Sequence, residues 1–305
     1  MKIAILNATS GWHTDQLIAA LSARAHQATV VPYEGLVASM GRADRRPSML
    51  ISEQVALLDA DAVLARIIPH GSLEQIIYRV NALHWIEARG ISVMNSPRAI
   101  ERSVDKFYTT ALLEEEGLDV PETVVCEHAE EALAAVREMG DVIFKPLFGS
   151  MGRGMVRVSD ADVAFRVARA FEDLRTVFYV QRTIEHGGRD IRAFVVGGRV
   201  IGAIERLAAA GDWRTNIARG GIARTFDLPA EWASIAVRAA DAIGADYAGI
   251  DLLPAQDGRL YVLEVNGIPG WQGLQEATGI QVADAIIEHL LAIVSLRRSV
   301  ATPSK

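Results

Sequence analysis

Residues 247–266 read YAGIDLLPAQDGRLYVLEVN. Two apolar runs flank Asp257-Gly258, a strong two-residue turn signal, so the stretch reads as a β-hairpin. With that turn Gln256 faces Arg259, and counting outward places Asp251 opposite Glu264. Side chains alternate faces along a strand, so Glu264 and Asn266 share one face. Asp251, Glu264 and Asn266 then converge within an otherwise apolar pair of strands. A carboxylate there is costly to desolvate unless a positive charge meets it. Two accounts fit. One is a hard divalent cation such as Mg²⁺, which takes oxygen ligands and few protein groups besides phosphates. The other is a structural ion pair with an arginine from a facing layer.

Upstream of the hairpin the chain changes character twice. MKIAIL, TVVPY, DAVLARII and ISVMN read as strands, with helical periodicity in DQLIAALSARA and SLEQIIYRVNALHWIEARG. This alternation argues for an α/β domain with a mainly parallel sheet over residues 1–97, with a loop at 38–47. A second unit, 98–183, opens with SPRAIERSVDKFYTTALLEEEG, read as one helix with Ser96 as N-cap and Pro97 in its first turn. From 184 to 297 antiparallel strands dominate, around the helix AEWASIAVRAADAIG and before a last helix at 282–295. Residues 298–305 read as a frayed tail.

The bulk properties exclude several classes. Thirty-one basic and 38 acidic side chains leave a net charge of −7, which disfavours a broad grip on nucleic acid. One cysteine, Cys126, rules out a disulfide framework and fits a reducing compartment. No basic leader precedes a long apolar core, and ADAIIEHLLAIVSL is interrupted by Glu288 and His289. The expectation is a cytoplasmic protein with no membrane contact.

Three other features carry chemistry. KPLFGSMGRGM, residues 145–155, ends a strand on Lys145 and continues into a loop containing Gly149, Ser150, Gly152 and Gly154. Such a loop lets backbone N–H groups approach phosphate oxygens or moves as a lid, although it is neither GxxxxGK[ST] nor GxGxxG. A plain hairpin loop is the bland account. Lys106, in SVDKFYTT, reads by itself as a solvated helix residue. Arg192, Arg206, Arg214 and Arg219 fall in one stretch, with Asp190 and Asn216. Clustered arginines suit a planar grip on carboxylate or phosphate, and ion pairs to Asp190 and Glu205 are the competing account. Trp12, His13, Arg66, His70 and Arg79 read first as packing residues and second as an acceptor pocket, with Trp271 the best placed of the pocket candidates.

The order of these parts resembles the ATP-grasp superfamily, and within it the RimK-type glutamate ligases. The matching stretches are SVDK, KPLFGSMGRGM, VQ, DIRAFVVGGRVIGAIER, DWRTNIARGG, YAGIDLL and LEVNGIPGWQGLQEATGI. The N-terminal stretch GSLEQIIYRVNALHWIEARGISVMNSPRAIERSVDK is similar to a subgroup linked to tetrahydromethanopterin-dependent metabolism. The resemblance implies an ATP-grasp fold behind an N-terminal α/β pre-ATP-grasp domain. It also implies a ligase that joins L-glutamate to a carboxylate acceptor through an acyl phosphate. Asp251, Glu264 and Asn266 would hold one or two Mg²⁺, or Mn²⁺. Lys106, Lys145, Gly149, Ser150, Gly152, Gly154, Gln181 and Asp190 would bind ATP, with Gln181 reading adenine. Arg192, Arg206, Asn216 and Arg219 would act on the phosphoryl group and the substrate carboxylates. The family also implies a homo-oligomer. Arg182 departs from the Glu common after that Gln, which bears on nucleotide preference. Two rivals are a MgATP-binding regulatory protein without turnover and a dipeptide ligase of the D-alanine–D-alanine kind.

Overall fold

The computed structural model describes residues 1–8, 10–41, 48–149, 152–209, 212, 214–215 and 221–301. Ser150, Asn216, Arg219, most of the expected loop at 38–47 and the last four residues lie outside that set.

The N-terminal domain contains β1 (Lys2–Leu6), α1 (Trp12–Ala23) and β2 (Gln27–Val31). Then come β3 (Val37–Ser39), β4 (Met49–Ser52) and β5 (Val55–Ala56), followed by β6 (Ala62–Ala65), α2 (Leu73–Ala88) and β7 (Ser92–Met94). The expected parallel sheet is present in the order β2-β1-β6-β7. A small antiparallel sheet, β3-β4-β5, was not expected. Its first strand overlaps the start of the stretch read as a loop, because VAS is too short to show an alternating pattern. Helix α2 starts at a full capping box, Ser72 with Gln75.

The next segment corrects the single long helix expected after Pro97. There are two helices, α3 (Pro97–Val104) and α4 (Lys106–Glu115), broken at Asp105. Asp105 adopts an extended backbone, and its carboxylate accepts from Tyr108 N–H at 3.0 Å, so it caps α4. The break places Lys106 at the first position of a helix instead of mid-face. Beyond it lie β8 (Thr123–Cys126), α5 (Ala129–Met139), β9 (Val142–Lys145), β10 (Val156–Val158), α6 (Ala161–Asp173) and β11 (Phe178–Arg182). The strands form an antiparallel sheet in the order β10-β9-β11-β8.

The last unit holds β12 (Arg189–Val196), β13 (Arg199–Leu207), β14 (Ile222–Thr225), α7 (Ala230–Ile243), β15 (Tyr247–Pro254), β16 (Leu260–Asn266), α8 (Gln272–Thr278) and α9 (Val282–Ala301). Its sheet runs β14-β13-β12-β15-β16. Helix α9 continues six residues past the expected end at 295, through part of the stretch read as a tail. No single helix among the described residues is long and apolar enough to cross a membrane. One core joins α1, α9 and the N-terminal sheet to Phe194, Val196 and Trp271 of the last unit. A second packs α7 on the five-stranded sheet, and a third lies under α5 and α6. The N-terminal domain and the last unit are therefore packed as one body, with the β8–β11 sheet facing them across a cleft.

The hairpin of β15 and β16 has a different turn from the expected two-residue one. Ala255 pairs with Arg259, Gly258 N–H donates to Ala255 O, and Gly258 sits at φ 87°. This is a three-residue loop closed by a left-handed glycine. By itself it would shift the register by one and put Asp251 opposite Leu263. A bulge between Asp251 and Leu252 shifts it back, so Asp251 does face Glu264 and Gly249 faces Asn266.

Candidate active site

A cleft of about 500 Å³ lies between the two large sheets. Lys106, Lys145, Gly152 and Gln181 line one side, and Asp190, Arg206, Asp251, Leu263 and Glu264 the other, with Thr183–Gly188 at the end joining β11 to β12.

Its floor is a ladder of charges set by strand register. Asp190 pairs with Arg206 across β12 and β13, and Arg192 pairs with Asp251 across β12 and β15. Arg206 holds Asp190 with Nε and Nη2 at 2.7 and 2.6 Å, and also reaches Asp251 at 3.0 Å. Arg192 holds Asp251 with Nε and Nη2 at 2.7 and 2.8 Å. Thr215 Oγ1 donates to Asp190 Oδ2 at 2.6 Å. Burial raises the Asp251 pKa, but Arg192 and Arg206 outweigh it and hold the carboxyl below its usual range. Burial disfavours the Arg206 cation, yet Asp251 and Asp190 together push its pKa up.

Glu264 is treated differently. Among the described residues no basic side chain pairs with it. Burial, then the neighbouring Asp251, push its pKa up, against the pull of Lys106, Arg192 and Lys145. Asn266 satisfies both its groups with its amide nitrogen toward Glu264 Oε1 at 3.1 Å and its oxygen toward Arg192 Nη2 at 2.9 Å. The Arg192 guanidinium thus lies against oxygens of both Asp251 and Asn266, so two of the three candidate ligands already converge on a cation. The all-oxygen donor set fits Mg²⁺, with too few protein ligands to hold it without phosphates. Consistently, no three His, Cys, Asp or Glu side chains gather into a metal cluster among the described residues. The competing account, an arginine ion pair, is realised at Asp251 and not at Glu264.

Across the cleft, Lys145 is buried at the end of β9. Its Nζ donates to Gln181 Oε1 at 2.5 Å. Gln181 Nε2 donates in turn to Thr123 Oγ1 at 2.9 Å and Tyr179 Oη at 3.1 Å. In this structure the Gln181 amide supports Lys145 and is not presented to a base. Burial, then the charge of Lys106, bring the Lys145 pKa down to about 8, with Glu264 and Asp251 opposing. Burial also lowers the Lys106 pKa. Lys106 Nζ donates to Leu147 O at 3.3 Å and Gly149 O at 2.9 Å, which ties α4 to the glycine-rich loop. In that loop Gly154 sits at φ 74°, and a Cβ there would lie 2.8 Å from Pro146 Cγ, so any side chain there would be strained and would force Pro146 to shift.

Arg182, Asp212 and Arg214 also line the cleft, each held in an ion pair, and the N-terminal candidates are engaged in packing. Arg182 pairs with Glu122 at 2.6 Å and donates to Met139 O at 2.8 Å. Arg214 pairs with Asp212 at 2.9 Å. Trp271 is 1 % exposed, packed among Trp12, His13 and Phe194, so the pocket role considered for it gives way to a core role. His13 Nε2 accepts from Trp271 N–H at 3.1 Å, and Arg79 donates to Pro69 O at 2.8 Å. Sequence reasoning missed Thr123, Tyr179 and Thr215, because nothing in their spacing marks them.

Comparison with known proteins bears on the family and the fold. The RimK-like ATP-grasp domain model matches residues 103–290, and the RimK pre-ATP-grasp domain model matches residues 1–100. The tetrahydromethanopterin:alpha-L-glutamate ligase of Methanosarcina acetivorans is 40 % identical over 79 % of this chain and 83 % of its own length. A probable alpha-L-glutamate ligase of Trichodesmium erythraeum is 36 % identical over 95 % of this chain and 96 % of its own. Among solved structures, the ATP-grasp ligase PsnB complexed with minimal precursor, Mg and ADP superposes with a TM-score of 0.73. It is 22 % identical, covering 96 % of this chain and 98 % of that one. A RimK domain protein from Sphaerobacter thermophilus gives 0.71 at 22 % identity, covering 95 % and 100 %. With the two family models together matching residues 1–100 and 103–290, and relatives above 30 % identity along most of its length, the chain belongs to the RimK-like ATP-grasp ligase family.

Proposed function

We propose that the chain adds L-glutamate to a carboxylate acceptor, driven by ATP, through an acyl phosphate. The observation that carries this is the facing of two lysines, Lys106 and Lys145, with Asp251 and Glu264 across one cleft, Asn266 lying against Glu264. That is a charge pattern for a polyphosphate and a divalent cation. The choice of glutamate rests on the names of the relatives.

A carboxylate is a poor acyl donor because its oxide leaves badly. In the first step an acceptor carboxylate oxygen attacks the γ-phosphorus and ADP leaves. In the second the glutamate amine attacks the acyl carbon, loses a proton and expels phosphate. Both steps build negative charge in a site that must exclude water. One or two Mg²⁺, with Mn²⁺ as a substitute, would be held by Asp251, Glu264 and Asn266 and would neutralise phosphate charge. Lys145, propped by Gln181, and Lys106 bind the α- and β-phosphates, Lys106 exchanging its two loop carbonyls for phosphate oxygens. The loop Gly149–Gly154 covers the phosphates and keeps water from the acyl phosphate. Ile143, Leu263 and the backbone of Thr183–Gly188, which line the cleft, would hold the adenine. Arg192 and Arg206, fixed by Asp251 and Asp190, face the transferring phosphoryl group. Asn216 and Arg219 are candidates for the substrate carboxylates. The acceptor is a small molecule of the tetrahydromethanopterin type or the terminus of a peptide or protein.

The test is ADP release by purified protein with MgATP, L-glutamate and fractionated cell extract, followed by mass spectrometry. A glutamyl increment on a small molecule or a protein terminus identifies the acceptor class. Glu264→Gln should lower turnover about 10²-fold or more. MgATP binding without ADP release in any fraction would favour the regulatory reading, and an increment from another amino acid would change the amine.

A further inference from the structure

Asn266 is followed by the segment Gly267–Trp271, and three side chains of the N-terminal domain hold it. Asn95, fully buried just past β7, donates from Nδ2 to Gly267 O at 2.5 Å and Tyr247 O at 2.7 Å, and its Oδ1 accepts from Tyr247 N–H at 3.1 Å. Arg66, just past β6, donates to Pro269 O through both Nη atoms at 3.4 Å and to Tyr247 Oη at 3.2 Å. Its guanidinium lies 4.8 Å from the Trp271 ring centroid. His13 accepts from the Trp271 N–H.

These bonds grip two backbone points, Tyr247 where β15 begins and Gly267 just past the end of β16. Between them, Gly249 pairs with Asn266, and a Cβ at Gly249 would lie 3.0 Å from Pro269 Cβ. A Cβ at Gly267 would lie 2.6 Å from Ser103 Oγ, in the helix that precedes Lys106. Apolar side chains would serve for packing alone. A buried arginine with no carboxylate partner among the described residues, and a buried amide spent wholly on backbone, are costly unless position is what they secure.

We propose that Asn95 and Arg66 are positioning residues for the divalent cation: from the N-terminal domain they set the end of β16 so that Glu264 and Asn266 meet Asp251. The inference rests on the reading of those three residues as the cation site.

The test is Mn²⁺ titration of the protein·ADP complex, followed by electron paramagnetic resonance. Asn95→Asp keeps the size but replaces a donor with an acceptor, and Arg66→Lys keeps the charge but not the flat two-point donor. Each should weaken Mn²⁺ about tenfold while metal-free ADP affinity stays within about twofold. Leu57→Ala, which removes a buried side chain of the same domain that makes none of these bonds, should leave Mn²⁺ affinity unchanged. Wild-type Mn²⁺ affinity in a folded Asn95→Asp or Arg66→Lys protein overturns the proposal, and so does equal weakening in Leu57→Ala. Hydrogen exchange on the unaltered protein needs no variant. The Tyr247 and Trp271 amides should exchange more slowly when Mg²⁺ joins ADP, and unchanged exchange also overturns it. Glu264→Gln separates the premise: if it binds Mn²⁺ like wild type, the cation site itself is misplaced.

Discussion

Replacing Arg206 with Met tests whether the charge ladder is a working unit. Arg206 is 3 % exposed and serves two carboxylates, Asp190 through two bonds and Asp251 through one. Without it Asp190 keeps the Thr215 hydroxyl, and Asp251 keeps Arg192. Removing one partner of a buried ion pair costs about 3–5 kcal/mol, because the other charge stays desolvated. Asp251 is still paired, so the stranded Asp190 accounts for most of that loss. For a chain of 305 residues it corresponds to a thermal midpoint lower by roughly 5–8 °C. The variant Asp190→Asn with Arg206→Met removes the stranded charge and should recover roughly half, since a neutral amide is far cheaper to bury. Scanning calorimetry of the wild type, the single and the double variant at pH 7 measures this. A single variant within about 1 kcal/mol of wild type, or a double variant no better than the single, would refute the reasoning.

Other outcomes follow from the same geometry. Lys145 has its pKa brought down to about 8, so it loses its proton above that pH, and MgADP affinity should weaken between pH 7 and 9. Titration calorimetry in two buffers should show proton uptake on binding, and Lys145→Gln should abolish both effects. Gln181→Leu leaves Lys145 without its support and should weaken ADP several-fold, with adenine-over-guanine preference unchanged within about twofold; a changed preference would return Gln181 to base recognition. Arg182→Ala should alter neither nucleotide preference nor stability by more than about 1 kcal/mol, because its pair with Glu122 is exposed. Burial, then Arg66, bring the His13 pKa down from 6.5 to about 4. Its folded pKa lies below its unfolded value, so the unfolded chain binds more protons between those pH values and stability falls as pH drops from 6.5 to 4. The shift converts to about 3 kcal/mol at 1.36 kcal/mol per pH unit, which partial exposure reduces to about 1–2, and His13→Gln should flatten the dependence.

That Glu264 and Asn266 share a face was legible from period-two alternation, whereas Asp251 faces Glu264 only because two departures from the expected hairpin cancel. The detail was wrong: the turn has three residues, and the register was restored by a bulge that no side chain announces. The break at Asp105 was readable in principle, as an N-cap residue before Lys106, but helical periodicity on both sides masks it. Local patterns could not show the partner of Gln181, since Lys145, Thr123 and Tyr179 meet it only after three strands pair. The same holds for Arg66 and Asn95, which act on a segment about 150 to 200 residues away in sequence. Trp271 lies shortly after β16, yet a tryptophan's apolar area makes the core its cheapest place. Contacts along a strand or helix were visible, whereas those between domains were not.

The central claim is that an acceptor carboxylate is phosphorylated by ATP. Once the glutamylation assay has identified an acceptor, its carboxylate can be labelled with ¹⁸O and carried through one turnover with MgATP and L-glutamate. The account predicts that one labelled oxygen appears in inorganic phosphate, alongside ADP. Label in AMP with release of pyrophosphate, or unlabelled phosphate, would contradict it.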